Sequence, residues 1–146
     1  MITEERYDGA DGVALRGALG RELRERYRGP GVPEPAWEPA AFLVARSAGG
    51  EPVGCVALRA LGGGVFELRR MYVAPPARGT GVADALLEAA HARAAQLGAG
   101  RIILQCGTAQ PEAMSFYRRR GYEPIGPFGE YAELESSRCF GRDLAR

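Results

Sequence analysis

The sequence predicts an α/β (α+β) fold: a mixed, mostly antiparallel central sheet with helices on both faces. Three observations carry that prediction. Short β-type apolar runs separated by glycine turns fill the middle of the chain. An alanine- and leucine-rich helical segment over 82–97 follows them. A second helical segment over 111–120 then interrupts a further set of β-type runs. A meander of strands followed by alternating helices and strands is the order a layered sheet needs to cover both of its faces.

The elements follow in order. Residues 2–7 form a short opening strand, broken by Asp8, Gly9, Asp11 and Gly12, and Asp11 is placed to cap a helix. From residue 13, Leu15, Leu19, Leu23 and Tyr27 recur every four residues and mark one helical face among Arg and Glu. Residues 29–39 hold Pro30, Pro33, Pro35 and Pro39 around Trp37, a proline density that excludes a helix interior. Runs 41–46 and 52–59 flank Ala48, Gly49, Gly50 and Glu51 as a hairpin. Leu61 and Gly62 to Gly64 make the next turn, and 65–73 is a third strand with Phe66, Leu68, Met71 and Val73 as its apolar positions. The helix over 82–97 stops at Gly98, as helix C-termini often do. Residues 102–104 read as a buried strand, and the helix over 111–120 has Pro111 in its first turn and Gly121 at its end. Runs 122–125 and 139–144 close the sheet, with Pro127, Phe128 and Gly129 in the loop between them.

Composition narrows the function. The 146 residues suit one domain over 1–146, and 19 basic against 18 acidic side chains leave a formal net charge of +1. Nucleic-acid binding through a broad positive field is therefore not expected. Cys55, Cys106 and Cys139 are widely spaced and odd in number, which suits reduced thiols rather than a disulfide framework. With His91 as the single histidine, no metal site and no His-based triad are expected, and His91 is read as a surface residue without a role. No apolar run reaches the roughly 20 residues of a membrane span, and no signal-peptide pattern opens the chain, so a cytoplasmic location without membrane contact is expected.

The chemistry concentrates between residues 65 and 121. Arg78, Gly79, Thr80, Gly81, Val82 and Ala83 lie between a strand and the strongest helix. The first amides of that helix have no internal partner, and its dipole is positive at this end, so the loop suits a pyrophosphate. Glycines at 79 and 81 let the backbone approach the phosphates closely. The loop lacks the third glycine of a dinucleotide fingerprint and the Gly-Lys-Ser/Thr of a P-loop.

The series Met71, Tyr72, Val73, Ala74, Pro75, then Arg78 to Ala83, then Leu86 and Leu87 resembles the acyl-CoA signature of the GCN5-related N-acetyltransferases (GNAT). A second block, Gln110 to Tyr117 closing at Gly121 and Tyr122, resembles the late helix of that family, and the likeness covers nearly the whole chain. The resemblance implies a splayed strand pair holding acyl-CoA, with Met71 to Val73 diverging from 102–104. Pantetheine would pair with the backbone of Met71 and Val73, and the amides of Gly79, Thr80, Gly81, Val82, Ala83 and Asp84 would hold the pyrophosphate. Asp84 departs from expectation, because its carboxylate repels phosphate unless a cation such as Arg78 screens it. Gln110 stands where an asparagine commonly helps to hold pantetheine.

By the same resemblance, Tyr117 is the acid that protonates the departing thiolate, against a plain reading as a packed aromatic. Glu67 is the base that takes the amine's proton, against a plain reading as a solvated strand acid. Glu130 and Glu34 are the alternative bases. Phe128, Gly129, Tyr131 and Trp37 are candidate walls of the acceptor pocket, and the run Arg118 to Arg120 is either a solvated helix end or a contact for the 3′-phosphate. The implied activity is acetyl-CoA-dependent N-acetylation of a primary amine by direct attack in a ternary complex, with a homodimer possible by analogy. The alternatives are a non-catalytic acyl-CoA sensor and an acyltransferase for longer acyl groups.

Overall fold

The computed structural model describes residues 1–30 and 36–144. Its elements are β1 (Ile2–Glu4), α1 (Ala10–Tyr27), β2 (Ala41–Arg46), β3 (Pro52–Gly62), β4 (Val65–Val73), a 3-10 turn at Pro75–Ala77, α2 (Val82–Gln96), β5 (Arg101–Gly107), α3 (Pro111–Arg119), β6 (Glu123–Ile125) and β7 (Ser137–Asp143). The sheet has seven strands in the order β1-β2-β3-β4-β5-β7-β6. Neighbours pair antiparallel except β4 and β5, which are parallel. The expected order of elements is present, and bounds shift by a few residues at several ends.

Two differences at the ends have physical reasons. The opening strand stops at Glu4 rather than Tyr7, because the chain turns over Tyr7 and Asp8 into α1. That helix starts at Ala10 with Gly9 as its cap and no side-chain cap bond. Asp11, expected to cap it, instead pairs with Arg46 at 2.8 Å. A carboxylate in the first turn still suits the helix dipole while it ties α1 to β2.

Two cores explain why strand alternation is muted. Val56, Leu58, Phe66, Leu68, Ile102 and Leu104 face α2 and α3 through Leu86, Leu87, Ala90 and Tyr117. On the other face, Cys55, Ala57, Phe42, Val44 and Tyr72 meet Leu15 and Leu19 of α1. A strand covered on both sides needs apolar residues at successive positions, and Ala41 to Ala45 are all buried. No helix among the described residues is long and apolar enough to cross a membrane.

β4 carries a bulge. Cys55 stands opposite Tyr72 and Ala57 opposite Arg69, so Arg70 and Met71 together face the single residue Val56. Arg70 takes φ 55°, a left-handed conformation costly for a side chain with a Cβ. The extra residue resets the alternation. Met71 and Val73 thereby join the α2 side, while Tyr72 joins the α1 side.

Close approach of α2 to the sheet depends on Gly54. A Cβ there would lie 2.8 Å from the Tyr72 carbonyl oxygen and 3.0 Å from Leu86 Cδ1. Overpacking of this kind costs about 1–3 kcal/mol. Gly54→Ala is therefore expected to lower the unfolding free energy by an amount in that range, read as a lower urea midpoint with an unchanged m-value; an unshifted midpoint contradicts the packing described.

Candidate active site

Parallel pairing between β4 and β5 runs from Val65 opposite Arg101 to Leu68 opposite Leu104. Both strands continue, to Val73 and Gly107, without further ladder pairs between them among the described residues. The sheet is therefore split from Arg69 and Gln105 onward. Met71 to Val73 form one lip as expected. Residues 102–104 do not form the other; they belong to the paired part, and 105–107 are the second lip. The bulge at Arg70 supplies the cause, because it bends and twists β4 away from its parallel neighbour.

At the open end, Gly79 and Gly81 take φ 77° and 89°, and nothing lies within 4 Å of a Cβ built on either. Gly81 is the N-cap of α2 and no side chain caps the helix. The amide of Ala85 donates to the Gly81 carbonyl at 3.1 Å, which leaves the amides of Val82, Ala83 and Asp84 as the outward-pointing donors of the first turn. Thr80 turns its hydroxyl back onto the Ala77 carbonyl. Asp84 is paired with Arg120, which also donates to the Phe116 carbonyl at 3.1 Å and lies over the Phe116 ring at 3.9 Å. The screening cation is thus Arg120, at the end of α3, rather than Arg78. Arg78 donates to the Val73 carbonyl at 2.8 Å and pairs with Glu22 at 2.7 Å, and its guanidinium lies over the Tyr72 ring.

The last two turns of α1 span the split. On the β4 side Glu22 holds Arg78. On the β5 side Arg26 donates to the Ala109 carbonyl and pairs with Glu112, and Tyr27 donates to Gln110 Oε1 at 3.2 Å. The Tyr27 hydroxyl packs so closely on Gly107 that no Cβ fits there. Gln110 is the N-cap residue of α3 without a side-chain cap bond, so its amide serves this bridge.

On the α1 face, beside the point of divergence, sits a charged cluster. Glu67 and Arg69 are only 4% and 8% exposed. Arg69 donates to Glu67 at 2.9 Å and to Glu130 at 2.9 Å, and its guanidinium lies 4.9 Å over the Trp37 ring. Arg59 is 3.9 Å from both carboxylates. Glu67 is therefore not the solvated strand acid of the plain reading. Burial pushes its pKa up, only partly offset by the charge and hydrogen bond of Arg69. Glu130 moves the opposite way: burial raises its pKa, but its own amide and the guanidiniums of Arg69 and Arg59 outweigh that and hold it below the usual carboxylate value. Two carboxylates sharing one guanidinium are thus pushed apart in proton affinity, the arrangement that separates a proton acceptor from a fixed anion.

Tyr117 lies on the opposite face, 6% exposed in the α2–α3 core. Its ring meets Phe116 at 5.3 Å and Tyr122 at 5.5 Å. Burial raises its pKa, and Cys106 on the β5 lip and Tyr122 add to the effect, so the phenol stays protonated at neutral pH. His91 is not the plain surface residue expected. It is half-buried, 2.7 Å from the Tyr122 hydroxyl and 3.3 Å from Arg142 Nη1.

The structure thus brings Glu67, Glu130 and Trp37 together on the α1 face, and Tyr117 and Gly79 to Asp84 on the α2–α3 side. Glu34 lies outside the described residues. Phe128 touches the site through its carbonyl, which accepts from the Gln105 side-chain amide. Arg59, Arg69 and Gln105 went unrecognised in sequence, and Arg120 was read only within the Arg118 to Arg120 run, not as the partner of Asp84. Alternation with Glu67 could have drawn attention to Arg59 and Arg69, whereas Gln105 and Arg120 become visible only through tertiary contacts. Among the described residues no group of three or more His, Cys, Asp or Glu is placed to hold a metal ion.

The β4–β5 pair splits and the chain leads on through Gly79 and Gly81 to an uncapped helix, and comparison with known proteins places this layout in a family. The family model described as Acetyltransferase (GNAT) family matches residues 14–122, more than half of the chain, and the chain belongs to that family. It is 40% identical over 91 residues to a protein of Azospirillum brasilense named IAA acetyltransferase, a match covering 62% of this chain; the chain spans about three fifths, 59%, of that relative. A structure from Klebsiella pneumoniae subsp. pneumoniae MGH 78578, assigned to the acyl-CoA N-acyltransferases, superposes with TM-score 0.86 at 30% identity, covering 99% of this chain and 97% of that one. A GNAT family acetyltransferase from Elizabethkingia anophelis, solved with acetyl-CoA bound, shares the fold at TM-score 0.71 and 16% identity over 99% of this chain and 97% of its own.

The buried histidine makes stability depend on pH. Burial first, and then the charge of Arg142, lower the His91 pKa to about 4. The unfolded chain binds a proton near pH 6.5 where the folded chain does not, so stability is intact above that value and is lost as pH falls toward 4. The thermal midpoint of the wild type is expected to fall more steeply between pH 6.5 and 4 than that of His91→Asn; parallel curves contradict it.

Proposed function

We propose that the chain is an acetyl-CoA-dependent N-acetyltransferase, one domain over 1–146, which acetylates a primary amine by direct attack in a ternary complex. The observation that carries this reading is the placement of Glu67 and Tyr117 on opposite faces of the same split strand pair, each with a pKa moved upward. The family membership, the acyl-CoA N-acyltransferase relative and the acetyl-CoA-bound neighbour support it. A cytoplasmic location is part of the proposal, in keeping with three free cysteines.

The residues present fit coenzyme A. Open left-handed glycines, the free amides of α2's first turn and an Asp84 charge cancelled by Arg120 suit a pyrophosphate. The backbone of Met71 and Val73 on the unpaired lip suits the pantetheine amides, and Arg78 donates to the Val73 carbonyl. The bound coenzyme supplies an acetyl group activated as a thioester. Glu67 takes the proton of the attacking amine, and its raised pKa brings its basicity closer to what proton abstraction near neutrality requires. Arg69 keeps that carboxylate oriented, and Glu130 remains the fixed anion that balances Arg69. Tyr117 delivers its phenolic proton to the departing sulfur. Burial that raises the phenol's pKa also raises that of a thiolate formed in the same surroundings, so their proton affinities stay matched.

A sensor that binds acyl-CoA without turnover has one observation in its favour: the Glu67 carboxylate is engaged by Arg69 as a structural ion pair would be. Substitution decides between the readings. Glu67→Gln and Tyr117→Phe are each expected to lower kcat about 100- to 10,000-fold while coenzyme A binding persists. With an amine of low basicity, kcat of the wild type is expected to fall as pH drops through a value above the ordinary glutamate pKa, and Glu67→Gln to lose that limb. Coenzyme binding with no transfer to any amine establishes the sensor instead. For the cradle, Arg120→Ala is expected to weaken coenzyme A binding about 5- to 30-fold, and Asp84→Asn in that background to restore it, as isothermal titration would show.

A further inference from the structure

We infer that Gln105 receives the acceptor's amino group, its Oε1 accepting a hydrogen bond from an N–H of the attacking primary amine. The inference rests on the transferase reading above and adds a substrate-contacting residue to it.

Position comes first. The β4–β5 ladder ends at Leu68 opposite Leu104, so Gln105 is the first residue of β5 past the point of divergence, where Arg69 is the first of β4. Leu104 and Cys106 face the α2–α3 core, and alternation puts Gln105 on the α1 face with Glu67 and Arg69.

Its orientation is set by the loop after β6. Gln105 Nε2 donates to the Phe128 carbonyl, and a Cβ on Gly129 would stand 3.2 Å from the same nitrogen. One residue further on, Glu130 pairs with Arg69. The same short loop therefore holds both side chains at the apex. It also settles which end of the amide is oxygen, since the reverse assignment sets two acceptors against each other.

Oε1 is buried and has no hydrogen-bond partner among the described residues. A buried amide oxygen left unpaired is unfavourable and calls for a donor. The guanidinium beside the apex, Arg69, is already engaged by Glu67 and Glu130. No donor among the described residues completes the site, and a primary amine is a donor in either protonation state. It can release one proton to Glu67 and keep an N–H on Gln105, which turns the nitrogen lone pair in a defined direction. An amide does this without titrating.

The test uses the full chain with tryptamine, spermidine and glycine amide as acceptors, read by thiol release. Gln105→Met keeps the volume and removes the acceptor oxygen. It is expected to raise the amine KM about 10- to 100-fold while acetyl-CoA KM and coenzyme A affinity stay within about twofold. Gln105→Asn keeps both the amide donor for the Phe128 carbonyl and an acceptor oxygen, one methylene shorter, and is expected to recover part of the amine KM. If Gln105→Met is insoluble, the wild type decides: the analogue of the best acceptor with its reacting amine replaced by trimethylammonium, which has no N–H on that nitrogen, is expected to inhibit with a Ki at least tenfold above that acceptor's KM. An unchanged amine KM, a matching rise in acetyl-CoA KM, or an equally tight trimethylammonium analogue overturns the role of Gln105. A wild type that binds coenzyme A and acetylates no amine of a broad primary-amine panel that includes these three overturns the transferase reading itself.

Discussion

The layout of the candidate site depends on one interruption: the parallel pairing of β4 with β5 ends after four residues on each strand. In a sheet interior, backbone donors and acceptors are consumed by the neighbouring strand. Here β4 continues with its outward groups facing a gap, and the bulge at Arg70 makes the divergence compatible with an intact ladder to β3. The same bulge sets which side chains point where. Arg69 stays on the α1 face with Glu67, whereas Met71 and Val73 turn toward the α2–α3 face and help to close the wall there.

The gap divides the chemistry between the two faces of the sheet. Two carboxylates and two guanidiniums gather on the α1 face and nearly cancel in charge. Such a cluster is a poor source of net stability but a strong source of geometry, because removing one member leaves a buried charge without its partner. On the other face the environment is apolar, and Tyr117 is kept neutral by its burial. One sheet thus separates a polar, charged side from an apolar one. At the open end, charge is handled differently again: the helix offers bare amides, and the one acid of its first turn, Asp84, is neutralised by Arg120 from the neighbouring helix.

The fold was legible in the sequence because hydrophobic runs and glycine turns mark the strands and helices without tertiary help. Pro111, Gly98 and Gly121 punctuate α2 and α3 within a residue or two of the observed ends. The cradle at Gly79 and Gly81 was legible for the same local reason. Burial of Glu67 and Arg69 was not, because alternation suggests an exposed face whenever polar residues occupy it, and only the cover given by α1, Trp37 and the loop around Glu130 reverses that. His91 was misread for a related reason: an alanine-rich helix gives no sign that Tyr122 and Arg142 converge on its side chain from the far end of the chain. Asp11 shows a third limit. It has the identity and position of a cap, yet the nearby Arg46 offers it a stronger partner than a backbone amide.

The end of α1 gives the gap a property that a sheet alone would lack. Glu22 reaches one lip through Arg78, and Arg26 and Tyr27 reach the loop after the other, so three residues within two turns of one helix act as a tie-bar across the opening. Its span is set by helical rise, about 1.5 Å per residue, and its facing by about 100° per residue. Inserting or deleting a single residue between 22 and 27 would therefore rotate one anchor away while leaving the other attached, and the two lips would no longer share a common gauge. The width of the split is metered by a helix, which ties the length of α1 to the thickness of whatever the split admits.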